Sequence, residues 1–508
     1  MASLQGPHRL PSAGDPNIAH IERGLTLNKY AKLAQNTVIF AIGSFGSKIL
    51  LLLLTRLYSG NINSVDTSTK SLLEQTANFI IPIVTFSIAE AVIRYGLDRE
   101  YDKTEVFTSA CVVEAVGMVL LLLLTPLLRL LPYTDGYLLY LVAYIIASSF
   151  RQLSSQFVRA RDMTRLFALD GILATGTLFL FNVIFISKLH WGVHGFMLAV
   201  FLSDFCSGVF LWVTARLWRF FDLKKLEPEV VRTMVRFSLP MIPTAVLWII
   251  TGFSDRLFVR YMDKMAISHD VGPAAAGIYE YASKVPNLIS MVSTIFFQAW
   301  NMSAIKENDS KDKGVFYERI FGAYQAFMFL GAGFMIAFVR ILSAILIDYS
   351  RFPEYRACNL YTPILIIAVV MMSFDQFLSS VYVATQKTSH SMWTALIAAG
   401  TNIIMNILLI YRWGVQGAVV ATFLSYFACY LVRIVDTRRM IYFKVSHLRF
   451  FANLVLLFVM SVIAITRPVW EIPATAVLVG VLVLLNYPAI QMMVRILEKV
   501  LHRVTKRA

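Results

Sequence analysis

WGVHGFMLAVFLSDF, from Trp191 to Phe205, returns as WGVQGAVVATFLSYF, from Trp413 to Phe427. Nine of the fifteen positions are identical, at a constant offset of 222 residues. A fainter echo, SSQFV at Ser154 against SSVYV at Ser379, has an offset of 225. The chain is therefore duplicated. In an apolar chain a repeat on this scale marks a transporter whose two related bundles meet at the substrate site.

The composition agrees. Of 508 residues, 57% are hydrophobic and 15% are charged, with a mean hydropathy of +0.65. Soluble domains are nearer ~45–50% apolar and ~25% charged. The excess falls in stretches of roughly 20 residues, long enough to cross a bilayer. The net charge of +15 does not point to nucleic acid, because the positive residues lie in short loops between apolar spans. The four cysteines are scattered through apolar stretches, with neither a metal-ligand spacing nor a disulfide framework. No cofactor is implied. Residues Met1 to Gly24 have three prolines and no apolar run, so they read as a cytoplasmic tail and not as a signal peptide.

Fourteen spans are expected, near 36–58, 71–94, 105–131, 137–158, 166–187, 192–215, 237–259, 274–299, 316–347, 358–384, 391–411, 414–435, 448–466 and 473–494. On the side of the N-terminus the tails and loops hold 31 Lys and Arg; the opposite side holds nine. That bias places both termini in the cytoplasm, with the chain in the cytoplasmic (inner or plasma) membrane. Trp191 then opens span six and Trp413 span twelve, so the repeat is parallel. The expected fold is an all-α polytopic membrane protein of about fourteen transmembrane helices. Residues 1–35 form the tail and lead-in, 36–215 and 237–435 the two six-helix lobes, and 216–236 a basic amphipathic linker along the inner membrane surface. Two appended helices and a basic tail occupy 436–508.

Ionisable residues inside spans are expensive and survive by facing a cavity or a partner. Lys48 is mid-span in helix one, after Gly43 and Gly46 and before a run of leucines; it reads as a cavity cation. Arg56 lies near the outer end of the same helix. Arg151 and Arg159, about two turns apart, predict a basic strip down span four. Arg256 and Lys284 complete the basic candidates for substrate binding. Glu90, Arg94 and Glu114 read as a structural trio in spans two and three, and Glu280 pairs with Lys284 at i, i+4. Asp255, Asp204 and Asp375 are further acids, read as coupling sites or ion-pair partners. Pro240, Pro243 and Pro286 break or bend the helices that open the second half.

The segments NTVIFAIGSFGSKILLLLLTRLYS (Asn36–Ser59), SLPMIPTAVLWIITGFSDRLFV (Ser238–Val259) and AAAGIYEYASKVPNLISMVSTIFFQAW (Ala274–Trp300) resemble the first, seventh and eighth helices of polysaccharide-biosynthesis flippases. These belong to the multidrug/oligosaccharidyl-lipid/polysaccharide exporter superfamily. Ser47-Lys48 stands where the related lipid II flippases have a Ser-Arg pair in their first helix, a change from a bidentate fork to a point charge. The resemblance implies a V-shaped two-lobe fold working by alternating access. It implies a polyprenyl-pyrophosphate glycan as substrate, with membrane lipids and polysaccharide polymerase or assembly proteins as partners.

A transporter is expected rather than an enzyme. The loops opposite the termini are short, and no nucleophile–base pair or GxxxxGK[ST] motif is legible. The lead reading is a lipid-linked oligosaccharide flippase with a basic cavity. The alternatives are a cation-coupled multidrug exporter, which needs acids in its cavity, and a lipid II flippase.

Overall fold

In the computed structural model the described residues are 48–98, 100–263, 266–268, 270–307, 312–385 and 387–505. They form helices, with no strand among them. Helix α1 is described over 48–61, so Gly43 and Gly46 lie outside the described residues. The first half continues with α2 (Ser64–Val84), α3 (Ile88–Gly96), α4 (Lys103–Leu128), α5 (Leu138–Ala160), α6 (Thr164–Asn182) and α7 (Gly192–Thr214). Helix α8 (Pro228–Ser238) leads into the second half. This comprises α9 (Met241–Tyr261), α10 (Pro273–Ala282), α11 (Pro286–Glu307), α12 (Lys313–Ala337), α13 (Val339–Leu346), α14 (Cys358–Ala384) and α15 (Thr388–Met440). Helices α16 (His447–Thr466) and α17 (Glu471–Thr505) follow.

Among the described residues eight helices are long and apolar enough to cross a membrane, or nine if α2 and α3, bent by 55°, form one broken span. Helix α15 is two helices joined at Gly414. Taking α2–α3, α10–α11 and α12–α13 as bent spans and α15 as two gives fourteen among the described residues.

Local signals set the boundaries. Asn63 caps α2 by accepting from the Asp66 N–H at 2.8 Å, and Asp102 caps α4 through Thr104 at 2.9 Å. Pro228 and Pro273 occupy first turns, where a missing N–H costs little. The break between α2 and α3 holds Phe86 and Ser87 at φ of 53° and 49°, a left-handed conformation unusual for such residues. Pro286 starts α11 after a break at Ser283–Val285, and Pro240 precedes α9, so two of the three expected prolines sit at breaks. Pro243 lies inside the first turn of α9.

The repeat is visible in the backbone. Gly192 and Gly414, its second residues, both have φ of 55°. Only glycine takes that conformation without strain, which explains why both copies keep it. The glycines three residues on match too: a Cβ at Gly195 would meet Phe185 at 3.1 Å, and one at Gly417 would strike the Leu409 carbonyl. Helix α5 packs on α7, as α14 packs on α15.

The second half has one continuous apolar core centred on Trp300, Phe321, Phe374 and Phe377. The first half has two cores, one around Leu72, Leu141 and Phe196, the other around Phe107, Phe157 and Leu211. Helices α16 and α17 pack on α12 and α14. They are fastened to the second half by Arg340–Glu471 at 2.8 Å and to each other by a reciprocal Asn453–Asn486 amide pair. The linker after α7 forms two short 3-10 turns before α8, and exposes Trp218, Phe221 and Leu223 beside its basic residues.

Candidate functional site: a cavity between the two halves

Between the halves lies a cavity of about 1350 Å³. Its walls come from the end of α2 and the α2–α3 break, α5 from Tyr144 to Gln156, Phe167 of α6, Asp204 of α7, the first half of α9, the end of α14 and the start of α15. All of these meet at one end of the bundle, the end that holds the Lys- and Arg-rich loops; we call this the basic face. Broken helices at such a cavity are tolerated because the freed backbone groups face a polar space. Most of the polar lining is uncharged, including Asn78, Gln152, Gln156, Ser148, Ser155 and Ser391.

The charged lining is Arg151, Glu90 and Asp204. Arg151 donates to Asp204 at 3.2 Å, to Asp170 at 3.3 Å and to Ser207 at 3.1 Å. Ser148 and Ser207 donate to Asp204 and Asp170 respectively. One guanidinium thus holds two carboxylates from α6 and α7. The predicted basic strip does not form. Arg159 is exposed at the end of α5, over the Phe167 ring at 5.6 Å, and outside the cavity lining.

The opposite, far face is shut. Arg260 donates to Ser68 at 2.8 Å and to Thr69 at 3.1 Å; Tyr355 donates to the Ile62 carbonyl at 2.6 Å and meets Thr67 at 3.0 Å. Ser71 donates to Glu280 at 2.8 Å. Helices α2 and α10 touch backbone to backbone: a Cβ at Gly277 would overlap the Ser64 carbonyl. Arg56 donates to the carbonyls of Ala344 and Ile345, both at 2.9 Å, which caps the C-terminal end of α13. Arg56 is therefore a link between halves on the far face, not a cavity cation.

Arg256 and Lys284, expected as substrate cations, both bind Glu280, Arg256 at 2.7 Å and Lys284 within the same helical turn. Neither lines the cavity. The Glu280–Lys284 pair is as expected, and Arg256 and Ser71 complete it. The Glu90–Arg94–Glu114 trio is absent: Arg94 pairs with Asp98 at 3.3 Å, Glu90 lines the cavity, and Glu114 has no hydrogen bond or ion pair among the described residues. Glu90 and Arg94 share α3 at a spacing that permits a pair, but Asp98 takes the arginine and the cavity takes the glutamate.

Asp255 is buried and accepts four hydrogen bonds, from Tyr279 at 2.8 Å, Asn402 at 3.0 Å, Asn406 at 2.6 Å and Thr422 at 2.7 Å. Asp375 is buried with neither carboxylate oxygen partnered; its backbone carbonyl accepts from Arg433 at 2.8 Å. Sequence reasoning missed Asp170 and Arg433. Both were findable by the rule that singled out Lys48, since each is an ion inside an apolar span. Lys48 is half-buried and makes no ion pair or hydrogen bond with described residues; like Arg159, Arg256 and Lys284, it is not among the residues that line the cavity. It shares a helix face with Leu52, one turn on, which packs against the core of the second half.

No protein-family model matches the chain. Two curated relatives are uncharacterised membrane proteins of Methanocaldococcus jannaschii. One is 24% identical over 259 residues, covering 49% of this chain and 59% of the relative. The other is 21% identical over 219 residues, covering 42% of each. The chain thus spans only about half the length of these relatives. Among solved structures, an inward-facing multidrug resistance MATE family transporter of the MOP superfamily superposes with a TM-score of 0.65 at 14% identity, covering 81% of this chain and 98% of that one. A Vibrio cholerae MATE transporter gives 0.59 at 14% identity, with 81% and 98% covered. A MOP superfamily transporter from Pyrococcus furiosus, described as having a binding pocket of reverse polarity, gives 0.55 at 14% identity, with 81% and 96% covered. The chain is a multi-pass membrane protein with the fold of the MATE transporters of the MOP superfamily.

Proposed function

We propose that this protein moves a polyprenyl-pyrophosphate-linked oligosaccharide across the cytoplasmic membrane by alternating access. The observation that carries the reading is the interlobe cavity: about 1350 Å³, shut on the far face, with apolar walls among which the polar groups are mostly uncharged amides and hydroxyls. Such groups suit a polyhydroxylated head group, which needs many donors and acceptors and little charge. Lys48, free of any carboxylate partner among the described residues and on the helix face turned to the second half, is assigned to the pyrophosphate. The basic face is assigned to the cytoplasm by its Lys and Arg content. Coupling is assigned to the buried acids, with Asp255 first, since a carboxylate ringed by neutral donors is poised to exchange them for a cation or proton.

A second reading, export of cationic compounds, is favoured by one observation. The charged lining is one guanidinium against two carboxylates, so the described wall is not the basic surface an anion alone would select. Reconstitution separates the two. Vesicles containing the protein are loaded with a labelled polyprenyl-pyrophosphate oligosaccharide or with a cationic dye. The flippase reading expects the glycan to reach the opposite leaflet, with loss of rate in Lys48→Ala. Dye movement that depends on Glu90 or Asp204, without glycan movement, overturns it.

A further inference from the structure

Helix α5 borders two spaces. One face lines the central cavity through Ser148, Arg151, Gln152 and Ser155; the other lines a separate cleft of about 500 Å³ through Phe150, Leu153 and Ser154. The cleft lies among α4, α5 and α7 and shares no lining residue with the central cavity. Its walls are aromatic: Phe150, Phe201, Phe205, Trp212 and, from the linker, Phe221. The surrounding surface is lipid-facing in character, since Val116, Val119, Leu122 and Leu123 of α4 are all more than half exposed.

One side chain does not fit an apolar, lipid-facing cleft. Glu114 lines it at 8% exposure, and its Oε2 is buried with no hydrogen-bond partner. The other polar lining group is satisfied: Ser154 accepts from the Trp212 indole at 2.9 Å and donates to the Phe150 carbonyl at 2.7 Å. Glu114 lies eleven residues into α4, about 16 Å along the axis at ~1.5 Å per residue, too deep to reach water at the helix end. A buried carboxyl without a partner is costly, and inside a membrane it marks a function.

We propose that this cleft binds a hydrophobic amine drawn from the bilayer, with Glu114 as its acceptor. The alkyl part lies against the aromatic walls. The ammonium supplies the hydrogen bonds that Glu114 lacks, and the ring faces of Phe150 and Trp212 favour the positive charge. A neutral alcohol of the same length gains only one of these contacts, and a fatty acid sets two carboxyls against each other. The inference is independent of what the central cavity carries.

The test uses the full chain in lipid nanodiscs. Dicyclohexylcarbodiimide, an apolar reagent for buried carboxyls, is expected to modify Glu114, read by peptide mass spectrometry. Dodecylamine slows that modification roughly tenfold at about ten times its Kd, and dodecanol does not. In parallel, bromine-labelled dodecylamine quenches the part of the fluorescence that Trp212→Phe removes, and Glu114→Gln weakens that quenching. Absence of the Glu114 adduct, equal protection by dodecanol, or quenching indifferent to Glu114→Gln overturns the proposal.

Discussion

Ser71→Ala is the sharpest perturbation of the shut far face. Ser71 lies on α2, Glu280 on α10, and their hydrogen bond at 2.8 Å joins the two halves with both residues buried. The substitution removes one hydroxyl without orphaning the acceptor, because Arg256 and Lys284 still hold Glu280. Hydrogen bonds between membrane helices average about 0.6 kcal/mol and reach about 1.7. A carboxylate acceptor places this one near the upper end, so the far-closed state loses about 1–2 kcal/mol. That is a factor of about 5–30 in the equilibrium. If the far-open state starts near ~1%, it rises to about 5–25%. The assay is electron–electron distance measurement between spin labels at Val65 and Arg351, both exposed on the far face, in a background without other cysteines. The expected result is a second, longer distance that grows in Ser71→Ala. An unchanged distribution in Ser71→Ala, and also in Arg260→Ala, refutes the assignment of these contacts as the far-face closure.

Arg151→Ala leaves Asp170 and Asp204 without their shared cation; breaking a fully buried pair costs about 3–5 kcal/mol, and because Arg151 is 28% exposed at the cavity wall the loss falls below that range; the melting temperature falls, and less so in Arg151→Lys. Gly414→Ala is more damaging than Gly192→Ala, although both residues have φ of 55°, because the new Cβ meets the Asp270 carbonyl at 2.7 Å in the first case and nothing within 4 Å in the second. The backbone term alone is about 1–3 kcal/mol, and paired thermal denaturation curves read the difference. Asn453→Leu or Asn486→Leu alone leaves one buried amide unmatched and destabilises by about 1–3 kcal/mol, whereas the double substitution recovers most of the loss.

The helical, duplicated architecture was legible because span length and the 222-residue repeat depend on composition and order, which the sequence displays directly. Even the left-handed Gly192 and Gly414 were visible as identities within the repeat. The ion partners were less legible. Glu280–Lys284 could be read because i, i+4 spacing fixes proximity on one helix. Arg151 with Asp170 and Asp204, or Arg256 with Glu280, joins helices whose relative rotation no local spacing reveals. Glu90 and Arg94 failed for the opposite reason: their spacing permits a pair, but nearby Asp98 takes the arginine and the cavity takes the glutamate. The far-face contacts left a trace in the hydroxyl-rich run Ser64–Ser71, since small polar residues concentrate where membrane helices approach closely.

In the proposed function the cavity between the halves receives a sugar-bearing anionic lipid. A single cysteine at Gln152, an exposed residue of the cavity wall, reports on it directly through its reaction with a membrane-impermeant thiol reagent added at the basic face. A polyprenyl-pyrophosphate oligosaccharide is expected to slow this reaction while tetraphenylphosphonium leaves it unchanged. Protection by the cation and none by the glycan would contradict the proposed function.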